Sequence, residues 1–269
     1  MAIHSTAQVH PDANIAEDVD IGSNVVIGEH VSVGPRTRIM ANAYITGWTR
    51  IGEGNVIHIG AVLGHEPQDV AYDGSPTRLE IGNHNVFREY TLIHRGTAPG
   101  SATVIGDHNM FMGYSHAAHN CRIGHHVTVA NGTQLAGYVE VDDNAFISGG
   151  VMIHQFCRIG RLAMISGLSA INQDVPPYMT AGGRPCAVTG INVVGLRRAD
   201  FPSDVRERIK GAYKILYRSE RLIGEALERL EAETEKGPEI DHLVNFIKAS
   251  KKGIIFHQKA VEARARGSI

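Results

Sequence analysis

The 269-residue chain carries 26 Lys and Arg against 28 Asp and Glu, a formal net charge of −2, so no global field draws it to nucleic acid or to an anionic membrane. At 43% apolar residues it can build a real core and lies outside the composition of disordered chains. Thirty glycines beside only 6% aromatics is the balance a repeating backbone produces.

The N-terminus, MAIHSTAQVHPDANI, has neither a basic start nor an apolar run, so no signal peptide is expected. No stretch approaches the roughly 18 consecutive apolar residues of a membrane span, so no integral membrane segment is expected either. A period of six starts at once. Ile3, Val9, Ile15, Ile21, Ile27, Val33, Ile39, Ile45, Ile51, Ile57 and Leu63 occupy every sixth position. The phase returns at Ile81, Phe87 and Ile93, then at Ile105, Phe111, Ala117, Ile123, Val129, Leu135, Val141, Ile147, Ile153, Ile159, Ile165 and Ile171, broken only by Asp69, Ser75 and Pro99. Neither helical spacing nor simple alternation fits this pattern. It predicts a short strand and a tight turn per hexad, three hexads per coil, with the aliphatic row inside. Gly or Asn/Asp is expected to take the corner conformations that β-branched residues resist. Such a chain resembles the hexapeptide-repeat solenoids, which implies a left-handed parallel β-helix despite the usual right-handed crossover.

Two segments leave the pattern, 64–80 (GHEPQDVAYDGSPTRLE) and 95–104 (RGTAPGSATV), and are expected to protrude as loops where function concentrates. After Pro176 and Pro177 the period fades. The reading is a β-helix over 1–190 and a helical domain over 191–269. A first helix would start with Ser203 as N-cap, a second cover roughly 219–235, and a third 239–249, with a loose polar tail from 257. Residues 197–221 hold eight Lys/Arg and four Asp/Glu; this basic helix either docks an acidic protein partner or is a solvated face.

Stacking every 18 residues brings His119, Gly137 and Gln155 (119 + 18 + 18), with His116 and His154 nearby, to one edge of the prism. A histidine there can take a hydroxyl proton, and the amide of Gly137 can hold an oxyanion with no side chain in the way. On spacing alone a surface turn histidine is the better reading of His119; the stacked set brings the two readings level. His125 and His126 fall at corners and are read as merely solvated. Cys121 and Cys157 lie two coils apart at inward positions; with Cys186 and no C-x-x-C pair they fit reduced thiols in a cytoplasmic protein. A zinc site built from three imidazoles, as in γ-class carbonic anhydrases, is the competing chemistry, but its H-x₄-H pair is missing.

The runs PQDVAYDGSPTRLEIG, TLIHRGT, HAAHNCRIG, LAGYVEVDD, HQFCRIG, QDVPPY and GINVVGLRR, spread over essentially the whole chain, resemble the UDP-N-acetylglucosamine O-acyltransferases that begin lipid A synthesis. The resemblance implies His119 as general base for the glucosamine 3-hydroxyl and Gly137 as oxyanion donor. It implies Gln68, Asp69, His116, Tyr138, His154 and Gln155 as substrate-pocket positions, and Asn192 and Arg198 as nucleotide contacts. Gly167, with Met164 near it, falls at the acyl-chain ruler, where a glycine implies a longer hydroxyacyl chain. It further implies a homotrimer with sites between subunits, acyl carrier protein as donor, a nucleotide sugar as acceptor, and no metal or other cofactor. Four positions depart from the family pattern: Ala71 in place of a lysine, Tyr138 of a histidine, Val194 of a glutamate and Ala199 of an arginine. Arg184 or Arg197 is the expected replacement, and a related nucleotide-linked amino sugar is the alternative acceptor.

Overall fold

The computed structural model describes residues 2–219, 222–232 and 237–257. Each hexad becomes a strand of mostly two residues followed by a turn, as in Asp20–Ile21 and Val26–Ile27. Successive strands go to three different sheets, and every third one pairs in parallel with its predecessor: Ile21 with Ile39, Ile27 with Ile45, Val33 with Ile51. The result is a triangular parallel coil with sheets of 11, 9 and 8 strands, here sheets I, II and III. The aliphatic row is the core: Ile45, Ile57, Leu63, Ile93, Ile147 and Ile165 have no exposed surface, and Phe87 stacks on Phe111 at 5.3 Å. Each such side chain contributes about 1.5–3 kcal/mol of burial.

The corners extend one expectation. The left-handed positions fall three residues after the aliphatic one and hold Asn24, Asn42, Asn120 and Asn144 and Gly54, Gly60, Gly132 and Gly150 as expected, but also Arg36, His84, Tyr90, His108, Tyr114, His126, Tyr138, Phe156, Leu162 and Leu168. None of these is β-branched. The glycines that directly follow the aliphatic residue, such as Gly82 and Gly106, have ordinary φ and serve close approach instead. A Cβ on Gly106 would stand 2.5 Å from Gly124 O, and Gly82 leaves room for Asp107, whose Oδ1 accepts the N–H of Asn83 at 2.6 Å.

The two interruptions are shorter than expected, because their ends are paired strand: Val62–His65, Arg78–Ile81 and Ala102–Ile105 all join the sheets. What protrudes is 66–77 and 95–101. Past sheet II the chain forms an antiparallel hairpin, Met179–Gly182 with Ala187–Ile191, on the end of sheet I. Four helices follow among the described residues: α1 (Val193–Arg198), α2 (Ser203–Tyr217), α3 (Ile223–Ala232) and α4 (Pro238–Lys248). The short α1 is not visible in the periodicity. Ser203 is the first residue of α2, not its cap; Pro202 holds that place without a side-chain bond. Of the expected 219–235 helix, 220–221 and 233–236 lie outside the described residues, as does the tail beyond 257. Leu196, Ile209, Leu216, Leu230, Leu243 and Ile247 merge with the coil in one apolar core. Most basic groups of α2 are engaged within the fold, Arg208 with Asp204 and Glu239, Lys210 with Glu207. Among the described residues no helix is long and apolar enough to cross a membrane.

The three outer faces differ. Sheet III points Arg50, Glu80, Arg122, Glu140 and Arg158 outward, whereas sheet I shows Val56, Val86, Met110 and Phe146, and sheet II shows Val26, Val62, Leu92 and Met152. The corner between I and II carries the exposed rings of Tyr90 and Tyr114, stacked at 5.2 Å, and exposed Leu168.

Candidate active site

On sheet II and its corner with sheet III lies a cavity of about 690 Å³, within the range of small-molecule sites. Gln68, His116, His119, Gly137, His154, Gln155 and Arg184 all line it. The 18-residue stacking holds: the ring of His119 lies so close over Gly137 that an added Cβ would stand 2.5 Å from both Cε1 and Nε2. Among the described residues the Gly137 N–H has no acceptor, although the neighbouring Tyr138 N–H donates to His119 O at 3.0 Å. A bare donor and an imidazole therefore share one spot.

The ring of His119 is buried and held at Nδ1. Its Nδ1 lies 3.1 Å from Asn120 Oδ1, and that oxygen also accepts the Thr97 N–H at 3.0 Å. Because a backbone N–H only donates, the Asn120 amide is oriented oxygen-first, and Nδ1 must carry its hydrogen to bond there. Nε2 is then the basic nitrogen. It faces Asp69 Oδ2 at 3.5 Å. The Ala71 N–H, at 3.0 Å from Asp69 Oδ1, holds that carboxyl below the usual carboxylate range, and the nearby His119 adds to the effect. A carboxylate so placed stabilises the imidazolium formed when Nε2 takes a proton.

Deeper in, His116 Nε2 meets His94 Nδ1 at 3.3 Å. Burial pushes His94 down to about 4 and lowers His116 as well, so both rings stay neutral near pH 7. Loop 66–77 is anchored by buried Arg95, which donates to Gly64 O at 3.0 Å and to Tyr72 Oη at 2.8 Å. Neither Arg95 nor Asn120 was singled out by sequence; both act on segments more than twenty residues away. On the far side, Lys252 reaches in to touch His154 and Gln155.

The remaining residues lie elsewhere. Met164, Asn192, Arg198, Val194 and Ala199 line a second cavity of about 560 Å³ on sheet I. Asn192 is also a cap: its Oδ1 accepts the Gly195 N–H at 2.9 Å and its Nδ2 donates to Leu162 O at 2.8 Å. Gly167 is exposed and lines neither cavity. His125 and His126 are exposed but partnered. His125 Nδ1 lies 3.2 Å from Asp107 Oδ2, while His126 stacks on His108 at 4.9 Å and borders the second cavity. Among the described residues no three His, Cys, Asp or Glu side chains converge to hold a metal ion.

A family model described as Udp N-acetylglucosamine O-acyltransferase, Domain 2, matches residues 174–255, and one described as bacterial transferase hexapeptide (six repeats) matches 102–137. A Thermodesulfovibrio yellowstonii protein named acyl-[acyl-carrier-protein]–UDP-N-acetylglucosamine O-acyltransferase is 46% identical over 219 residues, 81% of this chain and 85% of that one. One of the same name from Gloeothece citriformis is 43% identical over 84% of this chain and 78% of its own. The chain belongs to this acyltransferase family. Solved UDP-N-acetylglucosamine acyltransferases superpose over nearly their whole length. That from Bacteroides fragilis does so with TM-score 0.91 at 44% identity, covering 94% of this chain and 99% of that one. That from Francisella novicida does so with TM-score 0.91 at 35%, covering 97% and 96%. The fold is the left-handed parallel β-helix with C-terminal helices.

Where this acyltransferase departs from its family pattern, the local structure is specific. Tyr138 sits edge-on to His119 at 5.4 Å and stacks on Phe156 at 4.9 Å, so it walls the imidazole with carbon. Ala71 contributes its N–H to Asp69. Arg184 lines the His119 cavity with its Nε bound to Leu168 O at 2.8 Å, leaving its other nitrogens as donors.

Proposed function

We propose that this chain transfers a 3-hydroxyacyl group from acyl carrier protein to the 3-hydroxyl of UDP-N-acetylglucosamine, the first step of lipid A biosynthesis, in the cytoplasm and with no cofactor. The single observation that carries the mechanism is the His119 ring lying against the unpaired Gly137 N–H, with Nδ1 tied to Asn120. In this reading Nε2 takes the proton of the sugar hydroxyl as its oxygen attacks the thioester carbonyl. The Gly137 N–H donates to the developing oxyanion, worth about 2.7–4 kcal/mol where one such donor has been removed. Asp69 steadies the imidazolium. The tetrahedral adduct then collapses, the carbon–sulfur bond breaks, and the imidazolium returns the proton to the thiolate. No covalent enzyme intermediate is needed.

We further read the protein as a homotrimer that shares its sites. Sheets I and II are mostly apolar on the outside over their C-terminal coils, meet at a corner of exposed rings, and carry the cavities of about 560 and 690 Å³; sheet III is charged. Seating sheet I of one copy on sheet II of the next covers both faces and joins the His119 cavity to the one with Met164, Asn192 and Arg198. Residues 1–190 would then supply the coil, and the start of the 191–269 helical part would complete a neighbour's site.

The test is a panel of nucleotide sugars against carrier-linked hydroxyacyl chains of graded length, read by mass spectrometry. A product acylated at the 3-position of UDP-N-acetylglucosamine is expected. Product only from a related amino sugar would move the acceptor, in line with Ala71, Tyr138, Val194 and Ala199, and no product from any would refute acyl transfer. Light scattering should give a trimer. Mixed trimers of inactive His119→Ala and Arg198→Ala chains should recover part of the activity, because some shared sites are then intact.

A further inference from the structure

Lys252 lies 98 residues from His154 in the chain, yet its Nζ stands 3.1 Å from His154 Nδ1 and donates to Gln155 O at 3.0 Å. The segment that brings it there is clipped to the end of the coil through Asp174. The Asp174 N–H donates to Gly253 O at 2.9 Å, the Ile255 N–H donates to Asp174 O at 2.9 Å, and Ser250 Oγ donates to the buried Asp174 carboxylate at 2.7 Å. The Gln173 side chain adds a bond to Lys252 O at 3.4 Å. The lysine is thus held on both sides, by the Ser250 side chain before it and by backbone bonds after it.

An ammonium has three donors and no acceptor. Its contact with Nδ1 is a hydrogen bond only when Nδ1 holds a lone pair, so the neutral ring keeps its hydrogen on Nε2. Without the lysine the ring has another choice, because Gln155 O lies 3.1 Å from Nδ1 and would accept a hydrogen carried there. Lys252 occupies that carbonyl and decides between the two tautomers. Two other imidazoles at the cavity are already committed: His119 faces Asp69 and His116 faces His94.

We propose that Lys252 is a positioning residue that fixes His154 with its hydrogen on Nε2, as a donor to an acceptor oxygen of the substrate bound in the His119 cavity. The substrate part of the claim rests on the acyl-transfer reading of that cavity; the tautomer part does not. Ring ¹⁵N shifts of ¹⁵N-histidine-labelled full-length protein, assigned with His154→Gln, should show His154 as the Nε2–H form in the unaltered chain. Lys252→Met should shift it to the Nδ1–H form, and Lys252→Arg should retain the first. In kinetics Lys252→Met should raise the KM of the nucleotide sugar or of the acyl donor about tenfold while kcat stays within threefold, and Lys252→Arg should restore most of that loss. An unchanged ring spectrum in Lys252→Met, or unchanged KM for both substrates, overturns the proposal. If the unaltered protein acylates nothing, the acyl-transfer reading falls on its own, and the tautomer comparison still decides what Lys252 does.

Discussion

Two corners of the same prism carry histidines, and they behave in opposite ways. Between sheets III and I, His84, His108 and His126 stand on consecutive coils and stack at 5.0 and 4.9 Å, ring on ring, in solvent. Between sheets II and III, His119 has a glycine as its coil neighbour, so the space a stacked side chain would fill is left for an amide donor and a cavity. The first corner is what a repeat does with an imidazole when nothing interrupts it: like stacks on like, and the ring face becomes the partner. The proposed mechanism places the chemistry at the second because three departures coincide there: a residue without a side chain, a loop that delivers Asp69, and an asparagine that orients the ring.

This contrast can be broken by experiment, and the largest effect should come from the ring itself. His119→Ala should lower kcat/KM by roughly 10³-fold with the melting temperature nearly unchanged. Gly137→Ala should be next, at about 10²-fold, since its methyl group would stand 2.5 Å from the imidazole and displace it. A fully active Gly137→Ala enzyme would remove the oxyanion contact from the mechanism. Asn120→Ala should cost about tenfold in kcat by freeing the tautomer, and should lessen the protection of loop 95–101 in hydrogen exchange. The fourth effect is on stability. His94 sits at about 4 in the fold against 6.5 as its ordinary value, so the unfolded chain binds the proton first. Its contribution is complete above pH 6.5 and is lost as pH falls from there towards 4. Denaturant titrations should show that slope flattened in His94→Gln. Smallest of all, His108→Ala in the stacked column should leave activity within about twofold and stability within ~1 kcal/mol; a large loss of activity would mean the two corners are not so different.

The coil itself could be read from residue order, because a hexad period has few structural solutions and its inward row is directly visible. The pairing of His119 with Gly137 followed from the same count. What escaped is what periodicity does not govern. Asn120 matters because Thr97, 23 residues back on a loop, turns its amide, and the course of that loop has no repeat to reveal it. Lys252 arrives from the far end of the chain. The separation of Met164 from His119 is open to the same count, which sets Met164 on sheet I, whereas Asn192 and Arg198 lie past the repeat, where no count applies. Turn preference is the commoner reason for glycine, so nothing in the residue order shows that Gly82 and Gly106 serve close packing between coils.

The lengths of the two protrusions have a mechanical consequence. Ile51 pairs with Ile81, 30 positions on, and Ile81 with Ile105, 24 on, so the excursions add 12 and 6 to the ordinary lap of 18. Inside the stack, removing a single hexad would rotate everything downstream by one third of a revolution, like a gear slipping a tooth, and carry residue 137 to a different side from residue 119. The same cut made in either excursion would leave the gearing untouched. Natural length variation should therefore collect in those two outgrowths, while the segment from 105 to 171 keeps its count.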